Sequence, residues 1–128
     1  MHERLVKGYA DDAGADIILT EPVYFEPHST TVVDLKVRAH VPVREAGFLM
    51  ARTSAAKRGL IVAPCPIDPN YSGSVSAVVH NVSDALVTYG VGEAFCQYVV
   101  FPIVPVKADR IKKEGTRTDG AFGSTDRR

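Results

Sequence analysis

The residue types best suited to chemistry fall in Cys65-Pro66-Ile67-Asp68-Pro69-Asn70-Tyr71-Ser72-Gly73, just ahead of the alternating run Ser74 to Asn81. Pro-Asn and Ser-Gly are turn pairs and the valines that follow are strand formers, so the stretch predicts a hairpin. A carboxylate between Ile67 and Pro69, with Tyr71 three residues on, can act as a general base at the mouth of a pocket. A single turn aspartate usually does no such work, and by itself this stretch reads as an ordinary turn. Three other stretches change that balance.

The first is Arg52-Thr53-Ser54-Ala55-Ala56-Lys57-Arg58-Gly59, which predicts the chain's one helix. A hydroxyl residue can cap its start, alanines fill the turn, and Gly59 can close it in the left-handed region. Free amides at that start, beside Arg52 and two hydroxyls, would suit an anion, although an ordinary connecting turn has the same composition. The second is the acidic small-residue turn Ala10 to Asp16, and the third is the tail beyond Lys107.

These pieces must be held by strands. Val23 to Phe25, Thr30 to Val37, Leu60 to Ala63, Ser74 to Asn81, Ala85 to Tyr89 and Ala94 to Val106 are short β-type runs punctuated by Pro, Gly and Asn. No strand–helix alternation suggests a parallel sheet. The pattern predicts an all-β jelly-roll, a β-clip type barrel with one short helix, over residues 1–106. Residues 107–128 change composition to charge, glycine and threonine and predict a flexible C-terminal arm. The eighteen residues from Pro105 to Phe122 would span about 55 Å when extended, enough to cross a neighbouring subunit.

Composition excludes several functions. The chain has 128 residues, with 15 basic and 15 acidic side chains, so its formal net charge is zero. Bulk attraction to nucleic acid or membrane is not expected. Two cysteines, Cys65 and Cys96, make neither a metal motif nor a disulfide framework. With charges near the N-terminus and no long apolar run, a soluble cytoplasmic protein is expected.

Taken in order, Ala13-Gly14-Ala15-Asp16-Ile17, Ala51 to Ala56, Ile67 to Gly73, Gly92-Glu93-Ala94-Phe95-Cys96-Gln97 and Arg117 to Thr125 resemble the five segments of the trimeric dUTPase family. The resemblance implies a homotrimer with shared active sites that hydrolyses dUTP to dUMP and pyrophosphate with Mg2+. It implies that Asp68 holds the attacking water and that Tyr71 packs beneath the deoxyribose. Pro66 and Ile67 would meet the uracil edge through their backbone. Arg52, Thr53, Ser54 and Gln97 would contact phosphates, and Asp16 would support the metal through water. In the arm, Arg117 and Phe122 would close over the substrate, with Gly123 and Ser124 gripping phosphate. For a virus, the setting would be the host cytoplasm or nucleus.

Ser72 and Ser74 stand where many members carry arginine and glutamate, and Ala121 replaces a tail glycine. Two rival readings are a non-catalytic nucleotide-binding or regulatory jelly roll and a dCTP deaminase. Deamination needs a glutamate in the strand after the hairpin, and Ser74 to His80 has no carboxylate. The four histidines show no ligand spacing.

Overall fold

A computed structural model describes residues 3–115. Nine strands and one short helix follow in the order β1 (Leu5–Val6), β2 (Ala15–Ile17), β3 (Val23–Phe25), β4 (Ser29–Arg38), β5 (Glu45–Ala51), α1 (Thr53–Lys57), β6 (Leu60–Val62), β7 (Ser74–Asn81), β8 (Val87–Tyr89) and β9 (Cys96–Pro102). All pairings are antiparallel, in three sheets ordered β1-β2-β9-β5, β3-β8 and β4-β7-β6. The fold is all-β and jelly-roll-like, as expected. Among the described residues the three sheets stay open and form no closed barrel, because no ladder joins one sheet to the next.

One core unites the sheets. On β7, Val75, Ala77, Val79 and Asn81 face inward while Ser74 and His80 face out, the period-2 alternation of a half-buried strand. Ile17, Phe25, Leu35, Leu49, Leu60 and Val79 bring every sheet into that cluster. Phe25 meets Phe95 edge to face with centroids 5.1 Å apart. Asn81, the buried polar side chain, donates to Phe25 O and Ala85 O and accepts from Ser83 N–H and Oγ. Its cost of burial is therefore met in full.

The helix departs from expectation at its start. Its N-cap is Arg52, in extended geometry with no side-chain cap, so neither Thr53 nor Ser54 caps it. Tertiary contact holds the N-cap residue itself: Arg52 N–H donates to Phe95 O, and the Arg52 guanidinium donates to Ala94 O. Gly59 does close the turn at φ +97°. The Arg58 guanidinium lies over the Tyr89 ring, 4.8 Å from its centre.

Arg4 fastens the first sheet to β4. Its guanidinium donates to Ile18 O at 2.9 Å, Leu35 O at 2.6 Å and Lys36 O at 3.1 Å. Those last two carbonyls lie where β4 bulges, between Asp34 and Arg38, with Lys36 at φ +56°. A charged donor bonded to three carbonyls cannot be replaced by an apolar chain without leaving acceptors unmet. Arg4→Met is expected to lower unfolding free energy by about 2–4 kcal/mol, read as a reduced urea midpoint at unchanged m-value.

Candidate active site

The proposed site residues fall into two groups on one protomer. The first gathers around the ends of β2, β5 and β9. Asp16 pairs with Gln97 across β2 and β9, and Gln97 pairs with Met50 across β9 and β5. Antiparallel partners project to the same face, so Asp16 and Gln97 stand side by side. Arg52 follows β5 directly, and its Nε lies 3.3 Å from Asp16 Oδ2. Both side chains stay open to solvent, at 39% for Arg52 and 33% for Asp16, so a ligand can reach the pair. Gln97 Nε2 donates to Ala51 O at 3.3 Å, which aims its amide at the turn into α1.

At that turn, Thr53 and Ser54 are exposed in the first turn of α1. The first helical bond runs from Ala56 N–H to Arg52 O, so the preceding amides have no partner inside the helix. A guanidinium, an amide, two hydroxyls and outward N–H groups together make a donor set suited to a polyanion. Cys96, next to Gln97, is buried; burial, with the charge of Asp16, pushes its thiol up to about 12, so it stays protonated and unreactive.

Sequence reading assigned no role to Gly14, yet it shapes this group. A Cβ there would lie 2.5 Å from Gln97 Oε1 and 2.8 Å from a Val99 methyl. Only a glycine lets the Gln97 amide lie where it does. Its one sequence signal is its place in a small-residue turn.

The second group occupies residues 63–73, between β6 and β7. The expected hairpin is wide, with a long connection anchored to other elements rather than a tight turn. Ile67 and Gly47 exchange two backbone bonds, Gly47 N–H to Ile67 O at 3.0 Å and Ile67 N–H to Gly47 O at 2.7 Å. Asn70 N–H donates to Val41 O at 3.1 Å. Asp68 to Tyr71 form a turn closed by Tyr71 N–H to Asp68 O at 3.2 Å, with Pro69 second and Asn70 third at φ +67°. That order of residues is what a type II turn requires. Asp68 and Pro66 are exposed, and Tyr71 is half-buried with its hydroxyl donating to Ser74 O at 2.7 Å.

Gly47 explains how the loop is seated. Tyr98 lies across its other side, where a Cβ would meet the ring at 2.8 Å. The Tyr98 hydroxyl is buried without a partner among the described residues, and burial raises its pKa. Tyr98 is thus a packing residue.

From Gly47 to Arg52 is five residues along β5, about 17 Å at strand rise. The Asp68 group and the Arg52 group therefore sit at different places on one protomer. Arg117, Phe122, Gly123 and Ser124 lie outside the described residues. Among the described residues there is no cluster of three or more His, Cys, Asp or Glu side chains able to hold a metal, and no helix is long and apolar enough to cross a membrane. Gly14→Ala is expected to displace the Gln97 amide. It should cost about 1–3 kcal/mol of stability, measured by chemical unfolding, and weaken triphosphate binding, measured by isothermal titration.

Comparison with known proteins identifies the family and the fold. A family model for dUTPase matches residues 3–126. The deoxyuridine 5'-triphosphate nucleotidohydrolase of Picosynechococcus sp. is 29% identical over 140 residues, covering 98% of this chain and 99% of that one. That of Leifsonia xyli subsp. xyli is 32% identical over 130 residues, covering 94% and 85%. A dUTPase of Staphylococcus bacteriophage 80alpha, solved with dUpNHpp, superposes with a TM-score of 0.74 at 21% identity, covering 96% of this chain and 91% of that chain. A dUTPase of phage phi11 of S. aureus, with a coordinated structural Mg(II) ion, also reaches 0.74, at 19% identity and with 89% and 92% covered. At these identities the solved structures speak to the fold, and the family match speaks to the kind of enzyme. The chain belongs to the dUTPase family and is, with it, a dUTP diphosphatase.

Proposed function

We propose that the enzyme cleaves dUTP to dUMP and pyrophosphate by in-line attack of a water held by Asp68 on the α-phosphorus. The carboxylate accepts the proton as the new P–O bond forms, and the bond to the bridging oxygen of the leaving pyrophosphate breaks. The observation that carries this reading is the seating of Asp68. Its turn is closed on itself and pinned to β5 and Val41, so the carboxylate is presented without reorganisation.

Tyr71, with its ring held at the same turn, would pack beneath the sugar and leave no room for a 2′-hydroxyl. The backbone at Pro66 and Ile67 would meet the uracil edge. Arg52, Thr53, Ser54 and Gln97 would take the phosphates, a role their donor set supports. Magnesium fits this chemistry, because an ion held mainly by triphosphate oxygens and water needs few protein ligands. Asp16 would meet it through water, and when bound it supplies neutralisation of charge on the leaving group. Asp16 also steadies Arg52 whether or not an ion is present.

The separation of the two groups along β5 supports a homotrimer with shared sites, in which the Asp68 turn of one subunit faces the Arg52 cluster of another. Residues 107–128 would then form the arm that brings Arg117, Phe122, Gly123 and Ser124 over the substrate.

The direct test is pyrophosphate release with dUTP, dCTP, dTTP and UTP in parallel; release confined to dUTP is expected, and none from any of them would leave a binding protein. Asp68→Asn should lower kcat by about 10²–10⁴ while the circular dichroism spectrum and oligomer mass stay unchanged. Co-refolding Asp68→Asn chains with Arg52→Ala chains should restore part of the activity that each lacks alone. A mixture as inactive as its parts would mean that the two groups do not share a site across subunits.

A further inference from the structure

We propose that Asp34, acting through Ser74, is a positioning residue for Tyr71 and so sets the preference for a 2′-deoxy sugar. The inference rests on the reading of Tyr71 as the residue beneath the deoxyribose. Asp34 lies at the bulge of β4, where pairing passes from Asp34↔Ser76 to Arg38↔Ser74. Four residue steps on β4 there oppose two on β7, so the ladder is interrupted between Ser76 and Ser74 and resumes at Arg38↔Ser74.

Side-chain bonds brace the interruption. Asp34 Oδ1 accepts from Lys36 N–H at 2.8 Å and from Ser74 Oγ at 2.7 Å. The Ser74 hydroxyl, and after it the Lys36 N–H, hold the Asp34 carboxyl below its usual range. Lys36 turns its ammonium to Glu21. With residue 74 fixed in this way, its carbonyl is the acceptor for the Tyr71 hydroxyl at 2.7 Å. Gly73 completes the seat: its carbonyl accepts from Ala39 N–H at 3.1 Å, and a Cβ on it would lie 2.4 Å from the Tyr71 hydroxyl.

The resemblance puts a glutamate at position 74 in many family members, and a glutamate there would set a second carboxylate against Asp34. Serine supplies instead the donor that Asp34 can accept. Tyr71 is tethered at its hydroxyl, and small tilts of its ring change how closely a ribose can approach. A residue that fixes the tether therefore acts on sugar choice.

The test is the ratio of kcat/KM for dUTP to that for UTP in the full-length enzyme. Asp34→Ala and Ser74→Ala should each lower it about tenfold, within the range that steric pocket contacts discriminate. The double variant should lower it no further, because both changes cut one relay. Asp34→Asn should keep the ratio within about twofold, since its amide oxygen still accepts from Ser74 and Lys36. Should Asp34→Ala fail to fold, Ser74→Ala carries the same test, as it removes only a hydroxyl. An unchanged ratio in folded Asp34→Ala or Ser74→Ala, alongside a collapsed ratio in Tyr71→Ala, overturns the relay and leaves the role of Tyr71 standing. An unchanged ratio in Tyr71→Ala overturns both.

Discussion

The double hydrogen bond between Gly47 and Ile67 is the constraint on which the candidate site depends. A loop as long as residues 63–73 has many conformations available, and closing it costs entropy that its own turn residues do not recover. Two backbone bonds to the centre of a seven-residue strand fix it near its middle. The remaining Asp68 to Tyr71 segment is then short enough for a proline and a left-handed asparagine to set its shape. The glycine is required because Tyr98 occupies the space that a side chain would fill. Core packing, strand and loop thus meet at one residue with no side chain.

The same strand carries the other half of the chemistry. Where β5 ends, Arg52 is held by a backbone bond to Phe95, a guanidinium bond to Ala94 and the carboxylate of Asp16. The N-cap residue of α1 is thus held by the segment just before β9 and by β2 rather than by a capping side chain. A five-residue helix would not persist alone, and its buried Ala55 and this anchoring supply what propensity cannot. A single strand therefore presents the turn proposed to hold the attacking water at one place and the turn proposed to take phosphate at another. That arrangement suits an enzyme whose sites are completed by neighbouring subunits.

Glycine and bulge positions carry much of the precision. Gly14 admits the Gln97 amide, Gly73 admits the Tyr71 hydroxyl, and the bulge at Lys36 frees Asp34 to reach Ser74. Each sets the position of a polar side chain to within the tolerance that chemistry demands.

Much was legible in the sequence because it is encoded locally. Alternation along Ser74 to Asn81, the Pro69-Asn70 turn and Gly59 at the end of α1 all appear where their residue types require them. The five ordered segments pointed to the family, since each carries its own turn or strand chemistry within a few residues. Tertiary structure alone decided which of these meet. Asp16 and Arg52 are thirty-six residues apart, and Asp34 and Ser74 are forty apart. Antiparallel pairing, register and a bulge bring them together. The hydroxyl cap expected for α1 is absent, and the hairpin expected around Asp68 forms with a wide connection, for that reason: long-range contacts outweigh a local cap or turn. Local chemistry chose the pieces of the site, and non-local hydrogen bonding and packing chose their positions.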